Sequence, residues 1–505
     1  MTADTDILVI GGGVNGTAIA RDAAGRGLKV VLCEMNDLAS GTSSASSKLI
    51  HGGLRYLEHY EFRLVRKSLA ERETLLRTAP HLVKPMRFVL PHQKGLRPRW
   101  LLRLGLYLYD MLSPRGTVLP KSGGISLEGT VEGGPLKDTI TQGFVYSDCW
   151  VDDSRLVVLN AVDAAQRGAE ILTRTRCTEL TCDGNHWRAT VTDANDNFRQ
   201  ITARCVVNAA GPWAGEVLGL IRPGGNASAP LRLVKGSHIV VPKLYEGEHA
   251  YLFQNPDGRI VFALPFEGRF TMIGTTEAEF SGDPSDAKAS EEEVTYLCRA
   301  ASDYFTKPVI PDLVHHAFAG VRPLYDDSGN AKASAVTRDY VFDLDAADSR
   351  PPVLNIYGGK LTTSRTLAEQ ALESLKPILG FTETPWTADS PLPGGDIPDA
   401  DFDGFLARMR VRYSWLPLAT LRRLTRAYGR TTPDILGDAG SVEDLGMAFG
   451  QGFSAAEVAY LQNHEWAMTP EDVLWRRSKL GLHMTPEEQQ VLKDWFHYGD
   501  RTESA

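Results

Sequence analysis

Residues 6–24 read DILVIGGGVNGTAIARDAA and determine the fold of the first domain. The apolar run before the glycines predicts a buried strand, and the alanine-rich run after them predicts a helix. Gly11, Gly13 and Gly16 lie between the two in GxGxxG register. Such a turn lets the backbone approach a pyrophosphate, which the N–H groups at the helix N-terminus bind. The stretch therefore predicts the first βα unit of a Rossmann-like, dinucleotide-binding domain.

A second strand is predicted at 29–33, directly before Glu34. An acidic residue about 20 positions beyond the glycines is placed to accept hydrogen bonds from a ribose 2′-hydroxyl. A carboxylate repels a 2′-phosphate, so the pattern favours FAD or NAD over NADP. The glycine turn and Glu34 are equally compatible with FAD and with NAD.

The chain has 505 residues, a length that predicts two or three domains. Its hydrophobic content of 43% and charged content of 23% are typical of a globular protein. The net charge of −9 disfavours a nucleic acid as partner, because binding to phosphates requires a basic surface. The cysteines show no metal-ligand spacing, so we expect buried thiols and no metal site. We find neither an export signal nor an apolar run of about 20 residues, and a cytoplasmic protein is expected.

Several long motifs follow in a fixed order. They include TSSASSKLIHGGLRYLE at 42–58, VVNAAGPWA at 206–214, AGVRPLYDD at 319–327 and YGGKLTTSR at 357–365. With these motifs the chain resembles the bacterial aerobic, FAD-dependent and quinone-linked glycerol-3-phosphate dehydrogenases. These enzymes belong to the D-amino-acid-oxidase-like flavoprotein superfamily. The resemblance covers essentially the whole chain and implies FAD, because the later motifs resemble parts of one extended flavin site.

The fold class that we expect is α/β with an additional α region. The resemblance implies a Rossmann-like FAD-binding domain made of 1–80, 143–215 and 310–387. An antiparallel-sheet cap, which binds the substrate, is expected at 81–142 and 216–309. Alternating β-branched and polar residues between 231 and 280 favour that sheet. A helical C-terminal domain is expected at 388–505.

The resemblance also identifies candidate FAD-binding residues, which lie in the glycine turn, after the second strand and in the later motifs. They are Gly11, Gly13, Val14, Asn15, Gly16, Glu34, Met35, Thr42, Ser43, Ser44, Ser47, Lys48, Leu49, His51, Gly52, Arg176, Cys177, Ala209, Ala210, Gly211, Trp213, Gly320, Arg322, Gly359, Lys360, Leu361 and Thr362. Arg176 and Cys177 are expected to offer backbone groups to the adenine.

The implied reaction is oxidation of sn-glycerol 3-phosphate to dihydroxyacetone phosphate by hydride transfer to flavin N5. A phosphate dianion is bound best by several cations, preferably guanidinium groups. The candidate substrate ligands are Arg55, Tyr56, Arg322, Arg338 and Lys360. Removal of the hydroxyl proton needs a group with a pKa near neutrality, which favours His51 or His238. Arg322 is an alternative partner for the oxygen at C2, so Arg322, His51, His238 and Lys360 are the catalytic candidates.

Residues 94–112 combine a basic start, Trp100 and a long apolar body. One interpretation is a buried helix of the cap domain. The other is a helix in the surface of a membrane, with Arg97, Arg99 and Arg103 near lipid phosphates. The resemblance slightly favours the second interpretation. It implies a protein bound peripherally to the inner face of the cell membrane that passes electrons to a membrane quinone, and it suggests a homodimer.

Three other functions are compatible with the sequence. An O₂-using glycerol-3-phosphate oxidase would release hydrogen peroxide on turnover. An amine oxidase of the same fold would have no need of several cations near the flavin. A non-enzymatic flavin-binding protein would act through its helical C-terminal domain.

Overall fold

The computed structural model describes residues 3–93, 95–222, 231–326, 339–346 and 350–498. The strands of these residues are β1 (Thr5–Ile10), β2 (Val30–Cys33), β3 (Leu49–Ile50), β4 (Val83–Pro91), β5 (Gly123–Ser126), β6 (Gln142–Val151), β7 (Glu170–Leu172), β8 (Thr175–Asp183), β9 (His186–Asp193), β10 (Phe198–Asn208), β11 (Leu231–Pro242), β12 (Ala250–Gln254), β13 (Ile260–Phe266), β14 (Phe270–Gly274), β15 (Ala278–Glu279), β16 (His316–Tyr325), β17 (Val341–Asp345), β18 (Val353–Tyr357), β19 (Ala448–Gly450) and β20 (Phe453–Ser454).

The helices of the described residues are α1 (Val14–Gly25), α2 (Phe62–Thr78), α3 (Arg99–Leu112), α4 (Asp153–Gln166), α5 (Ala214–Ile221), α6 (Glu291–Ser302), α7 (Ser364–Leu379), α8 (Phe402–Arg412), α9 (Leu418–Tyr428), α10 (Thr432–Leu436), α11 (Ala455–Glu465) and α12 (Pro486–Tyr498). A π-helix spans Asp472–Arg477, and short 3₁₀ helices include Leu54–His59 and Leu361–Thr363. In the described part of the chain we find no helix with the length and apolar content needed to cross a membrane.

The first sheet is built around the predicted βα unit. Its strand order is β17-β18-β10-β1-β2-β7, and β9 joins β8 to β10. The five strands from β18 to β7 run parallel, whereas β17 and β9 are antiparallel to their neighbours. Strand β1 is apolar and almost wholly buried, as expected for a central parallel strand. The carboxyl ends of β1, β2 and β10 therefore meet at one edge, where Gly11, Glu34 and Ala209 follow them.

Three helices cover one face of this sheet. The alanines of α1, among them Ala20, Ala23 and Ala24, are buried against α4 and α7. Helices with small side chains at the contact pack closely. Leu367 and Leu372 of α7 complete the same core. The helix that follows the glycine turn is thus packed firmly against α4 and α7.

The second sheet is the cap. Its strand order is β15-β11-β14-β13-β12-β4-β6-β3, with β16 paired to β11 and β5 paired to β6. Apart from the parallel pair β12–β4, the pairings of its described strands are antiparallel. Helix α6 packs on this sheet through Leu297 and Ala301. The predicted fold class is confirmed. The domain boundaries stay a prediction, and β6 and β16 pair in the cap sheet although we assigned their residues to the FAD-binding domain.

The C-terminal region has its own apolar core. Helices α8 to α11 and the π-helix bury residues such as Phe405, Leu424, Leu461 and Val473. Helix α8 ends at Arg412, and α9 begins after Pro417. Proline has no N–H to donate and is therefore favoured at the start of a helix rather than in its interior.

Buried ion pairs join the C-terminal region to the parallel-sheet domain. Arg155 of α4 makes a bidentate contact with Glu465 of α11, with an Nη2–Oε1 distance of 2.9 Å. Asp37, which follows β2, accepts hydrogen bonds from Arg477 at 2.7 Å. Both pairs are buried. Removing one partner of such a pair leaves an uncompensated charge in the interior.

We expect Glu465→Ala to lower the free energy of unfolding by about 3–5 kcal/mol, because it leaves the buried guanidinium of Arg155 without its counter-charge. Urea denaturation followed by circular dichroism measures the change. The matched control is Asp396→Ala, which breaks an exposed pair with Arg430. That control is expected to change the free energy by at most about 1 kcal/mol. Equal, small effects of the two substitutions would contradict a structural role of the buried pair.

Candidate functional site

The glycine turn leaves no room for a side chain at two positions. Gly11 has a φ of +116°, and a Cβ on it would lie 2.5 Å from the carbonyl oxygen of Ala209. A Cβ on Gly16 would lie 1.9 Å from the carbonyl oxygen of Gly11. Helix α1 begins with no side-chain cap at Gly13. The N–H of Val14 donates to Ser43 Oγ at 3.0 Å, and the helix dipole favours an anionic group at this end.

Glu34 lies beside this turn at the end of β2. Its carboxylate accepts the N–H of Gly12 at 2.6 Å and that of Asn36 at 2.8 Å. Burial raises the pKa of the Glu34 carboxyl, and the two backbone hydrogen bonds oppose the shift. A carboxylate has about four lone-pair sites, so it keeps capacity for a further donor such as a ribose hydroxyl. The assignment of Glu34 to the ribose stays a prediction.

A cavity of about 530 Å³ extends from the glycine turn to Lys360. This volume falls in the range of cofactor and ligand sites. The cavity brings together most of the residues that we predicted to bind cofactor or substrate. They are Gly11, Gly13, Val14, Asn15, Glu34, Met35, Thr42, Ser43, Ser47, Leu49, His51, Tyr56, Arg176, Cys177, Ala209, Ala210, Gly211, Trp213, His238, Gly320, Arg322, Gly359, Lys360, Leu361 and Thr362.

Six predicted residues are not in this lining. Arg338 lies outside the residues that the structure describes; the others are Gly16, Ser44, Lys48, Gly52 and Arg55. The ammonium of Lys48 donates to Asp153 at 2.7 Å and to the carbonyl oxygen of Ser44 at 3.0 Å. The N–H of Gly52 donates to the phenol oxygen of Tyr109 at 2.7 Å. Lys48 and Gly52 therefore bond neighbouring protein groups rather than lining this cavity.

Asn15 connects the glycine turn to the last motif. Its Nδ2 donates to the carbonyl oxygen of Gly358 at 3.0 Å. Gly358 and Gly359 have φ values of +74° and +103°, and a Cβ on Gly359 would lie 2.9 Å from Asn15 Nδ2. Asn15 Oδ1 is buried and has no hydrogen-bond partner among the described residues. A buried acceptor without a partner costs about 1–3 kcal/mol, so a donor from a bound ligand would stabilise the site.

The two candidate histidines occupy different surroundings. His238 is buried, its Nε2 lies 2.8 Å from Ser47 Oγ, and its ring stacks on Phe318 at 5.0 Å. Burial, with the nearby charges of Lys48 and Arg322, lowers the pKa of His238 to about 3. This histidine is therefore neutral at pH 7. Its assignment as the catalytic base stays a prediction. The backbone of His51 bonds Thr362 Oγ1 at 3.2 Å, and the residue lines the cavity.

The candidate cations surround the same space. Arg322 Nη2 donates to the carbonyl oxygen of Thr276 at 3.2 Å, and Nη1 lies 3.5 Å from Glu277. The ammonium of Lys360 lies 3.7 Å from the centre of the Tyr56 ring, a favourable cation–π distance. Arg55 neighbours Tyr56 on the 3₁₀ helix Leu54–His59, and its Nε is buried without a hydrogen-bond partner among the described residues.

Some residues of the site were missed. Thr275 lines the cavity and Glu277 pairs with Arg322, and both belong to the family-like motif MIGTTEAEF at 272–280. That motif was a signal for them. Glu216 and Leu220 of α5 line the cavity near Arg176. A helix that follows a strand has no sequence pattern that marks such a role.

The observed site fits an FAD. It is elongated, it begins at an uncapped helix N-terminus, and Glu34 stands at the end of β2 where a ribose is expected. It continues past Asn15 to hydrogen-bonding and charged groups at Thr362, Arg322 and Lys360. A ligand as small as one nicotinamide or adenine mononucleotide would occupy only the part of this cavity next to the glycine turn.

Comparison with known proteins gives the same result. Residues 6–365 match the family model "FAD dependent oxidoreductase", and residues 385–497 match "C-terminal domain of alpha-glycerophosphate oxidase". A glycerol-3-phosphate dehydrogenase of Pseudomonas aeruginosa is 51% identical over 493 residues, covering 97% of this chain and 94% of that protein. A D-erythritol 1-phosphate dehydrogenase of Brucella abortus is 50% identical over 492 residues, covering 97% of both chains.

A solved structure agrees over nearly the full length. The glycerol-3-phosphate dehydrogenase of Bacillus halodurans complexed with FAD superimposes with a TM-score of 0.74 at 27% identity, covering 98% of this chain and 94% of that one. The resemblance to the bacterial aerobic glycerol-3-phosphate dehydrogenases is confirmed by these matches. The protein belongs to the family of FAD-dependent oxidoreductases, with FAD as its cofactor.

Proposed function

We propose that this protein oxidises sn-glycerol 3-phosphate to dihydroxyacetone phosphate and passes the electrons to a membrane quinone. One observation carries the proposal: His51, Tyr56, Arg322 and Lys360 all line the cavity that fits FAD. A phosphorylated secondary alcohol needs cations for its dianion and a group that takes the hydroxyl proton. The names of the relatives, which are dehydrogenases of polyol phosphates, support the same reaction.

Different cations are assigned to the phosphate and to the C2 oxygen of the substrate. We assign the phosphate to Lys360, which lines the cavity. Arg55 does not line the cavity, and its assignment to the phosphate stays a prediction. We assign the oxygen at C2 to Arg322, whose guanidinium is held by Thr276 and Glu277. A cation fixed in advance at this oxygen stabilises the negative charge that develops during oxidation. FAD, when bound in this cavity, would supply the hydride acceptor for oxidation at C2.

The hydroxyl proton goes to His51. His238 is disfavoured because its lowered pKa, about 3, makes it a weak base at neutral pH. As a neutral ring it shares a hydrogen bond with Ser47 and packs on Phe318. We therefore assign it a positioning role in the wall of the cavity.

We expect Arg322→Ala to keep FAD bound and to lower kcat/KM for glycerol 3-phosphate by about 10²–10³-fold, the usual effect of removing a donor at a developing oxyanion. Steady-state kinetics and the flavin absorbance measure the two effects. The control is Arg259→Ala, a cap-domain arginine near Asp257 that does not line the cavity. Near-normal kcat/KM in Arg322→Ala would refute the role of this residue.

A second substrate has support of its own. The Brucella abortus relative, at 50% identity, is named for D-erythritol 1-phosphate rather than for glycerol 3-phosphate. The two substrates share a phosphate ester and a secondary alcohol, so the same cations serve both. They differ in the length of the polyol, and a direct comparison must decide between them.

Anaerobic addition of each substrate to the oxidised enzyme provides the test. We expect glycerol 3-phosphate to bleach the flavin band, and a short-chain quinone to restore it. Bleaching by D-erythritol 1-phosphate but not by glycerol 3-phosphate would identify D-erythritol 1-phosphate as the substrate. Restoration by O₂ with release of hydrogen peroxide would indicate an oxidase. A flavin that neither polyol phosphate reduces would leave an amine oxidase or a non-enzymatic flavin-binding protein.

Helix α3 supports peripheral binding to the inner face of the cell membrane. Trp100, Leu104, Tyr107 and Met111 form a stripe at helical spacing, with exposures of 69%, 46%, 53% and 66%. Leu106 and Tyr109 on the opposite side are buried in the cap. A helix with one buried and one exposed apolar face is suited to lie in a membrane surface.

Two of the three arginines considered for lipid phosphates have protein partners. Arg97 bonds Glu58 at 2.7 Å, and Arg103 donates to Ser122 Oγ at 3.1 Å. Arg99 is exposed. We therefore attribute membrane binding chiefly to the apolar stripe. The homodimer stays a prediction of the resemblance.

We expect the double substitution Leu104→Glu and Met111→Glu to abolish co-sedimentation with anionic phospholipid vesicles, because it places two charges in the apolar stripe. Turnover with a soluble acceptor should persist, since neither residue lines the FAD cavity. Val411→Glu, at an 82% exposed position on α8, is the matched control and should not change sedimentation. Full vesicle binding by the double variant would exclude α3 as the membrane contact.

A further inference from the structure

The segment that carries His51 is fixed at its next residue by a buried tyrosine. The N–H of Gly52 donates to the phenol oxygen of Tyr109 at 2.7 Å, and Asp148 Oδ1 lies farther from the same nitrogen, at 3.4 Å. A Cβ on Gly52 would lie 2.6 Å from the Tyr109 hydroxyl, so this close approach requires a glycine. Tyr109 lies on the buried side of α3 and does not line the FAD cavity. Its hydroxyl therefore supports the backbone and is not a ligand of the substrate.

The Tyr109 hydroxyl is itself fixed by a charged pair. It donates to Asp148, whose two carboxylate oxygens lie 2.7 and 2.9 Å away. Asp148 accepts from Arg72 Nη1 at 2.9 Å, and Arg72 also donates to the carbonyl oxygen of Ser147 at 3.0 Å. A hydrogen bond to a carboxylate is roughly twice as strong as one between neutral groups, and it makes the phenol oxygen a better acceptor. These residues form one hydrogen-bond chain, Arg72–Asp148–Tyr109–Gly52.

The side chains of this hydrogen-bond chain are excluded from water. Tyr109 and Asp148 are each 1% exposed, and Arg72 is 2% exposed. Burial, with the nearby charge of Asp148, raises the pKa of Tyr109 well above its ordinary value, so the hydroxyl stays a donor at neutral pH. A buried ion pair is weak support for stability, because apolar residues of similar volume often replace it without loss. Its position beside His51 therefore favours a role in the site.

Two further contacts hold the same segment. Strand β3, directly before His51, pairs with β6, and Ile50 lies opposite Cys149. On the cavity side, the N–H of His51 donates to Thr362 Oγ1 at 3.2 Å. The Tyr109 bond secures the segment just after His51, where the chain leaves β3 and turns. The backbone of His51 is thus bonded before, at and after the residue.

We propose that Tyr109, fixed by Asp148 and Arg72, is a positioning residue that holds His51 where it takes the hydroxyl proton of the substrate. The inference rests on the proposed function, in which His51 is the group that takes this proton. A base must lie within hydrogen-bond reach of the proton that it removes. A displacement of about 1 Å in a catalytic site can slow the reaction by about 10²-fold. Removing the Tyr109 hydroxyl therefore slows the reaction without removing a ligand of the substrate.

The test is Tyr109→Phe, with anaerobic flavin reduction followed by stopped-flow absorbance. The substrate is glycerol 3-phosphate, or D-erythritol 1-phosphate if only that compound bleaches the flavin of the unchanged enzyme. We expect the limiting rate constant to fall by about 10–100-fold. The half-saturating substrate concentration should stay close to that of the unchanged enzyme, because Lys360 and Arg322 lie on other segments. The matched control, Tyr251→Phe, removes a buried hydroxyl that donates to the carbonyl oxygen of Glu132 at 2.6 Å away from the cavity, and it should change neither quantity.

A double substitution separates positioning from a general loss of structure. If Tyr109 acts through His51, adding Tyr109→Phe to His51→Ala should slow flavin reduction no further than His51→Ala alone. Losses that multiply would show a separate role of Tyr109 and would overturn the proposal. If Tyr109→Phe loses FAD, Asp148→Asn takes its place, because the amide keeps the volume and removes the charge that fixes the hydroxyl. The same double substitution with His51→Ala then decides.

The inference and the proposed function fail in different ways. A normal rate in Tyr109→Phe beside a slow His51→Ala would overturn the inference and leave the proposed function intact. A normal rate in His51→Ala would overturn the assignment of the proton to His51 and, with it, the role of Tyr109. An unchanged enzyme whose flavin neither polyol phosphate reduces would refute the proposed function itself, and the inference with it.

Discussion

The rest of the structure depends on the close packing of three backbone segments at Gly11. A Cβ on Gly11 would clash with the carbonyl of Ala209, and a Cβ on Gly16 would clash with the carbonyl of Gly11. These contacts fix the ends of β1 and β10 and the start of α1 within one turn. Asn15 then extends the constraint to Gly358, almost 350 residues later in the chain. The FAD cavity exists because these glycines have no side chains to hold the segments apart.

The sequence was sufficient for the local elements and for the cofactor. The glycine turn, the strand before Glu34 and the family-like motifs predicted a parallel sheet and the lining of a flavin site. Pairings between distant segments were not predictable, since no local pattern encodes them. Strands β6 and β16 were assigned to the FAD-binding domain but hydrogen-bond within the cap sheet. The pKa of His238 likewise depends on burial and on Lys48 and Arg322, which only the fold brings near.

The C-terminal region contains one helix with a local sequence signal and one without. Helix α12 lies in the region predicted to be helical, and Thr485 and Glu488 form reciprocal hydrogen bonds at its start, the capping-box pattern that the sequence TPEE displays. The π-helix had no such signal, because its geometry is imposed by tertiary contacts of Arg477 and Asp472. A protein with a net charge of −9 still gathers cations at its cavity. Glu277 and Asp153 lie behind them and keep the local charge balanced.

The shared carboxylate of Asp37 has a consequence for how this enzyme is assembled. Asp37 belongs to the segment after β2, yet its partners Arg476 and Arg477 come from the far end of the chain. The cofactor domain therefore cannot reach its final electrostatic state until translation is nearly complete. The chain boundary near 388 separates two regions of sequence, but the carboxylate of Asp37 is paired across it.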